Sequence, residues 1–104
     1  MIILTDENFE QEVLKASQPV LVDFYTDWCI PCKPMALIVE QIAQNYKNQI
    51  KVGKFNIDEG PQIAARFKIE VIPTLLFFRN GQVIDRTRGV MPYPVLEEKI
   101  KQYL

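Results

Sequence analysis

The run Val20-Leu21-Val22-Asp23-Phe24-Tyr25-Thr26 narrows the possible folds more than any other segment of this chain. With one exception its residues are β-branched, aliphatic or aromatic, which suits a central strand covered on both faces. Pro19 stands before it. Cys29-Ile30-Pro31-Cys32 follows, opening a long helical pattern with Met35, Ile38, Val39, Ile42 and Tyr46 inward. A doubly covered strand that feeds a helix belongs to a layered α/β domain.

The remaining elements fit the same plan. Ile2 to Leu4 is a short strand, and Thr5 is the expected N-cap of a helix reaching about Ser17, with Phe9, Val13 and Leu14 on one face. Residues 50–57 read as a strand, Asp58-Glu59-Gly60-Pro61 as a turn, and Ile63, Ala64 and Phe67 as the buried face of a short helix. Thr74 to Phe78 is strongly β, Asn80-Gly81 is a two-residue hairpin signal, and Gln82 to Thr87 returns as a more polar edge strand. Val95, Leu96, Ile100 and Leu104 mark a final amphipathic helix after Pro92 and Pro94. The order β-α-β-α-β-α-β-β-α predicts a single α/β domain over residues 1–104, with a central mixed five-stranded sheet flanked by four helices. Pro34, about one turn into the second helix, is expected to bend or tighten its start. The charge clusters Glu97-Glu98-Lys99 and Arg86 with Arg88 read as solvated faces.

Composition removes whole classes of function. Lys and Arg number 12 against 13 Asp and Glu, a net charge of −1, which offers no basic face for nucleic acid or an anionic membrane. No apolar run approaches the ~20 residues of a membrane span. The start, Met1-Ile2-Ile3-Leu4, is too short for a secretory signal, so a cytoplasmic protein is expected. The chain has no histidine, which excludes Ser-His-Asp and Cys-His hydrolases, an imidazole proton shuttle and His metal sites. Chemistry must then rest on thiols, carboxylates or amines, and no cofactor or metal is expected.

The two cysteines are the natural candidates. Cys29 and Cys32 are spaced to lie on one helix face, within the roughly 4.4–6.8 Å Cα separation that a disulfide accepts. A helix N-terminus favours the thiolate of the first, and the second is placed to resolve a mixed disulfide. Half a zinc site is the bland alternative, but one chain supplies neither a second pair nor a histidine. Asp23 is the odd residue in its strand, since a carboxylate between two apolar faces is costly and titrates high.

The segment Val22-Asp23-Phe24-Tyr25-Thr26-Asp27-Trp28-Cys29-Ile30-Pro31-Cys32-Lys33 resembles the active-site segment of thioredoxins. Lys54-Phe55-Asn56-Ile57-Asp58, Ile72-Pro73-Thr74-Leu75 and the Asn80-Gly81 hairpin are similar to later motifs of that family, in order and spacing, so the resemblance covers essentially the whole chain. It implies a thioredoxin fold and a protein-disulfide reductase in which Cys29 attacks and Cys32 resolves. It also implies that Asp23 handles the proton of Cys32, that Lys54 modulates Asp23, and that the Ile72–Pro73 bond is cis and packed beside the cysteines. Trp28, Ile30, Pro31, Ile72, Pro73, Gly89 and Val90, with Ile57 and Met91, are by the same resemblance the rim that receives a substrate chain. Expected partners are disulfide-containing proteins and a thioredoxin reductase, flavin- or ferredoxin-linked, with the protein itself a monomer.

The chain departs from the family at three places. Ile30 stands where most members have Gly, Thr26 where Ala is usual, and Pro34 precedes the usual proline position, here Leu37. Three alternatives follow for such a variant: a disulfide oxidase or isomerase, a binding module that the thiols only gate, or a metal cluster bridging two chains.

Overall fold

A computed structural model describes residues 1–104. The strands are β1 (Ile2–Leu4), β2 (Val20–Tyr25), β3 (Lys51–Asn56), β4 (Thr74–Arg79) and β5 (Gln82–Arg88). The helices are a short π-helical turn, α1 (Glu10–Leu14), then α2 (Cys32–Asn45), α3 (Pro61–Arg66) and α4 (Tyr93–Tyr103). The sheet order is β1-β3-β2-β4-β5, with β3 parallel to both β1 and β2, and β4 antiparallel to both β2 and β5. This is the expected mixed sheet with four helices. No helix is long and apolar enough to cross a membrane.

The alternation along β2 divides the core. Val20, Val22 and Phe24 point into a cluster with Leu4, Phe9, Val13, Phe55, Ile63, Leu76 and Phe78, under α1 and α3. Leu21 points the other way, into a cluster with Met35, Val39, Ile42, Leu75, Phe77, Leu96 and Ile100, under α2 and α4. Both faces of β2 are therefore dry, as its composition demands. Phe9 is completely buried, and its ring lies 5.5 to 6.5 Å from those of Phe24, Phe55, Phe67 and Phe78.

Three expectations need correction, and that for Pro34 is met. The first helix is shorter than the span to Ser17: Thr5 does cap, accepting from Asn8 N–H at 3.1 Å while its own N–H donates to Asn8 Oδ1 at 2.8 Å. The turn then widens over Glu10–Leu14 and ends at Lys15, which leaves the chain free to reach Pro19 and β2. Pro34 is accommodated in α2 because it is the third helical residue and its missing N–H would have had no intrahelical acceptor; the start of the helix is tight, as expected, with Lys33 N–H donating to Ile30 O three residues back at 3.2 Å. Of the final apolar set, Leu96 and Ile100 are buried while Val95 and Leu104 face outward. Finally, several charges read as solvated join elements. Lys99 Nζ and Tyr103 OH donate to Asp85 at 2.9 and 2.5 Å, Tyr46 OH donates to Glu97 at 2.8 Å, and Arg86 Nη2 reaches Phe67 O at 2.6 Å.

The hairpin turn follows its sequence. Asn80 and Gly81 both take positive φ, 52° and 78°, which the tight reversal between β4 and β5 requires. The β4–β5 register shifts at Phe77/Phe78, which breaks the alternation of β5 and leaves both Val83 and Ile84 exposed on the edge.

Candidate active site

The cysteine motif, the Ile72-Pro73 turn and Gly89 converge on one end of the sheet, while the Asn80-Gly81 hairpin lies at the other. β2 runs into Cys29, and the β2–β4 register pairs Phe24 with Thr74, which sets Pro73 beside the exit of β2. Thr74 also pairs with Arg88, so Gly89 begins at the same end, and its N–H donates to Pro73 O at 2.8 Å. The Ile72–Pro73 bond is cis, as the motif implied. Thr74 Oγ1 donates to Val71 O at 2.6 Å and fixes that turn from its other side.

Cys29 and Cys32 form a disulfide with a Cα separation of 5.3 Å. Helix α2 starts at Cys32, so Cys29 lies just ahead of the first turn and not within it. The Cys32 N–H donates to Cys29 Sγ at 3.2 Å, which directs a helix-terminal amide at that sulfur. Both cysteines are only 4 % exposed, so accessibility alone does not separate their roles. The amide contact and the position ahead of the helix distinguish the surroundings of Cys29 from those of Cys32. A cavity of about 170 Å³ reaches Cys32 and is lined by Tyr25, Thr26, Asp27, Lys33 and Ala36. A larger groove of about 430 Å³, bordered by Met1, Gln18, Lys47 and Lys51, lies at the opposite end of the sheet and shares no residue with the cysteines.

Asp23 faces α2. It shares a face with Leu21, pairs with Leu75, and is 1 % exposed, with Oδ1 unpartnered. Loss of hydration raises its pKa from 3.8 to about 7, against the opposing pull of Lys54. Lys54 is the residue directly across the β2–β3 ladder, so both side chains emerge on the same face. Its Nζ lies 5.9 Å from the centre of the Tyr25 ring, a contact the sequence did not suggest. Thr26, in the usual Ala position, is buried with its hydroxyl unpartnered.

The rim residues divide by exposure. Trp28, Ile30 and Val90 are exposed at 70, 78 and 48 %, and Pro31 is also open, while Ile57, Ile72, Gly89 and Met91 are half-buried and Pro73 is buried. Trp28 is tethered, its Nε1–H donating to Asp58 Oδ2 at 2.8 Å. Sequence reasoning took Asp58 as part of a turn and as the end of a family-like segment but gave it no role, and a single chain carries no signal that would pair it with Trp28. Gly89 has φ of +81° and open space around it, so the backbone conformation, not crowding, requires glycine there.

A disulfide across Cys29-Ile30-Pro31-Cys32 at a strand-to-helix junction, with a buried carboxylate in the strand that leads to it and a cis-proline turn at the same end of the sheet, prompts comparison with known proteins. The thioredoxin family model matches residues 1–102. The chain belongs to the thioredoxin family. It is 46 % identical over 101 residues to thioredoxin 1 of a Nostoc species, covering 97 % of this chain and 94 % of the relative. Thioredoxin 1 of Synechococcus elongatus gives the same identity and coverage, and the thioredoxin of Porphyra purpurea is 43 % identical with the same coverage. This thioredoxin-family chain is a thiol–disulfide oxidoreductase, a protein-disulfide reductase whose chemistry is dithiol–disulfide exchange at Cys29 and Cys32. The reductase reading is favoured over the oxidase, isomerase and binding-module alternatives.

Proposed function

We propose that Cys29 is the nucleophile of this reductase, that Cys32 resolves, and that Asp23 moves the proton. In the dithiol form the Cys29 thiolate attacks one sulfur of a target disulfide, forming a mixed disulfide and releasing one target thiolate. The Cys32 thiol gives its proton to the Asp23 carboxylate, and its sulfur then attacks Cys29 Sγ. That step releases the second target sulfur and leaves the Cys29–Cys32 disulfide, so two electrons pass to the target. The Cys32 amide directed at Cys29 Sγ is the observation that carries the assignment, because it stabilises negative charge on that sulfur. A carboxyl titrating at about 7 suits the proton step, since acid–base efficiency peaks when the group's pKa lies near the working pH.

Lys54 tunes Asp23 through its charge, and the rim of Trp28, Ile30, Pro31, Ile72, Pro73, Gly89 and Val90 receives an extended substrate segment. The backbone of Ile72, which lies ahead of β4 and takes part in none of the turn and loop bonds, supports this, because an extended chain can pair with it. The reading makes the partners disulfide-bearing proteins and a reductase, flavin- or ferredoxin-linked, that returns the couple to the dithiol. It places the protein in the cytoplasm as a monomer.

Reduction of insulin by dithiothreitol tests the central claim. The protein should accelerate it, and Cys29→Ser should abolish the acceleration. Wild-type protein no faster than the variant would overturn the assignment.

A further inference from the structure

The segment Gly89–Pro92, between β5 and α4, carries the exposed Val90 but belongs to neither element. Its far end is joined to α4, whose Val95 and Leu96 amides donate to Pro92 O at 3.1 Å. Two bonds hold its site-facing part. Gly89 N–H donates to Pro73 O, and Met91 N–H donates to Met35 Sδ at 3.3 Å. Met35 is completely buried and lies three residues beyond Cys32, on the same face of α2. Leucine would fill the same volume in this cluster of Leu, Ile, Val and Phe side chains. What methionine adds is the acceptor, weak in general but placed against an amide that neither the sheet ladder nor the helix satisfies.

We propose that Met35 is a positioning residue for protein substrates. Its sulfur fixes the Met91 N–H and so sets where Val90 stands relative to the cysteines. The Gly89–Pro73 bond ties the segment to one wall of the groove. The Met91–Met35 bond ties it to the helix that carries Cys32. The two walls that grip an extended polypeptide are thereby referenced to the reacting sulfur. This role rests on the reading of the rim as the substrate surface, and it concerns binding and not the electronics of the disulfide.

The test uses the full chain with Met35→Leu, a substitution of near-equal volume that removes only the acceptor. Exchange of the Met91 amide, followed by NMR, should quicken by about tenfold as that contact opens. The KM for insulin should rise about fivefold, the loss expected for one modest hydrogen bond, with kcat and the Cys29–Cys32 potential retained. Selenomethionine-labelled protein keeps an acceptor at this position and should keep the unlabelled values. Val90→Ser separates the two readings. If it leaves the insulin KM unchanged, the rim is not a substrate surface and both readings fall. If it raises KM while Met35→Leu does not, or if Met35→Leu leaves Met91 exchange unaltered, the positioning role alone is overturned. A fall in kcat with no change in KM also overturns it.

Discussion

Replacing Asp23 by Asn should make the stability of this protein cross that of the wild type as pH rises. In the unfolded chain Asp23 titrates near 3.8, and in the fold at about 7. A group whose folded pKa is raised in this way stabilises nothing by ionising. Below pH 3.8 the carboxyl is neutral in both states, so there is no penalty. Between 3.8 and about 7 the unfolded chain releases the proton and the folded chain holds it, so stability falls with pH, and above about 7 the loss is complete. At about 1.4 kcal/mol per pH unit that loss is about 4 kcal/mol. Asparagine escapes it, but brings a buried amide into a site where Oδ1 already has no partner, at a cost of about 1–3 kcal/mol. The variant should therefore be the less stable protein at pH 4 and the more stable one at pH 8. Urea unfolding of both proteins in the disulfide form, from pH 4 to pH 8, measures this directly, because every other carboxylate cancels in the difference. A difference that shifts by less than about 1 kcal/mol over that range would refute the claim that burial holds Asp23 neutral. Insulin reduction by the Asp23→Asn variant should be slower throughout, and its pH profile should lose the limb near 7.

Lys54→Met removes the only influence lowering the Asp23 pKa, so the Asp23 carboxyl should titrate above about 7, as read by NMR; an unchanged or lower midpoint would show that the two do not interact. Phe9→Ala opens a void among four aromatic rings and should cost about 3–5 kcal/mol in urea unfolding; a loss below about 1 kcal/mol would mean that the cluster collapses to fill the space.

The chemistry of this site was legible in the sequence because it depends on neighbours along the chain. Cys29 and Cys32 lie at a junction that the apolar run of β2 and the periodicity of α2 both announce, and Asp23 stands out in that run by charge alone. The element order and the mixed character of the sheet followed from β-α alternation and one hairpin turn, while the order of strands within the sheet came only from the structure. What stayed hidden depends on contacts between distant segments. Asp58 holding Trp28 and Tyr25 lying against Lys54 join residues whose types carry no mark of the partnership. The Met35 sulfur is the same case, since a methionine on an inward helix face reads as core whether or not an amide points at it. Helix ends were misread where the backbone chose between near-equal options. Thr5 capped as expected, but the turn after it widened over Glu10–Leu14, and propensity does not distinguish that from an ordinary helix.

The strand order has a consequence for biosynthesis. Both neighbours of β2 in the sheet, β3 and β4, come after it in the chain. As the polypeptide leaves the ribosome at about 5–20 residues per second, Cys29 and Cys32 emerge before Lys54, Leu75 or Pro73 exist. During that interval Asp23 is hydrated and neither β3 nor β4 flanks the strand that leads to the cysteines. The pair begins as two ordinary thiols in a nascent chain, and it becomes a redox centre only when the second half of the protein closes around the first.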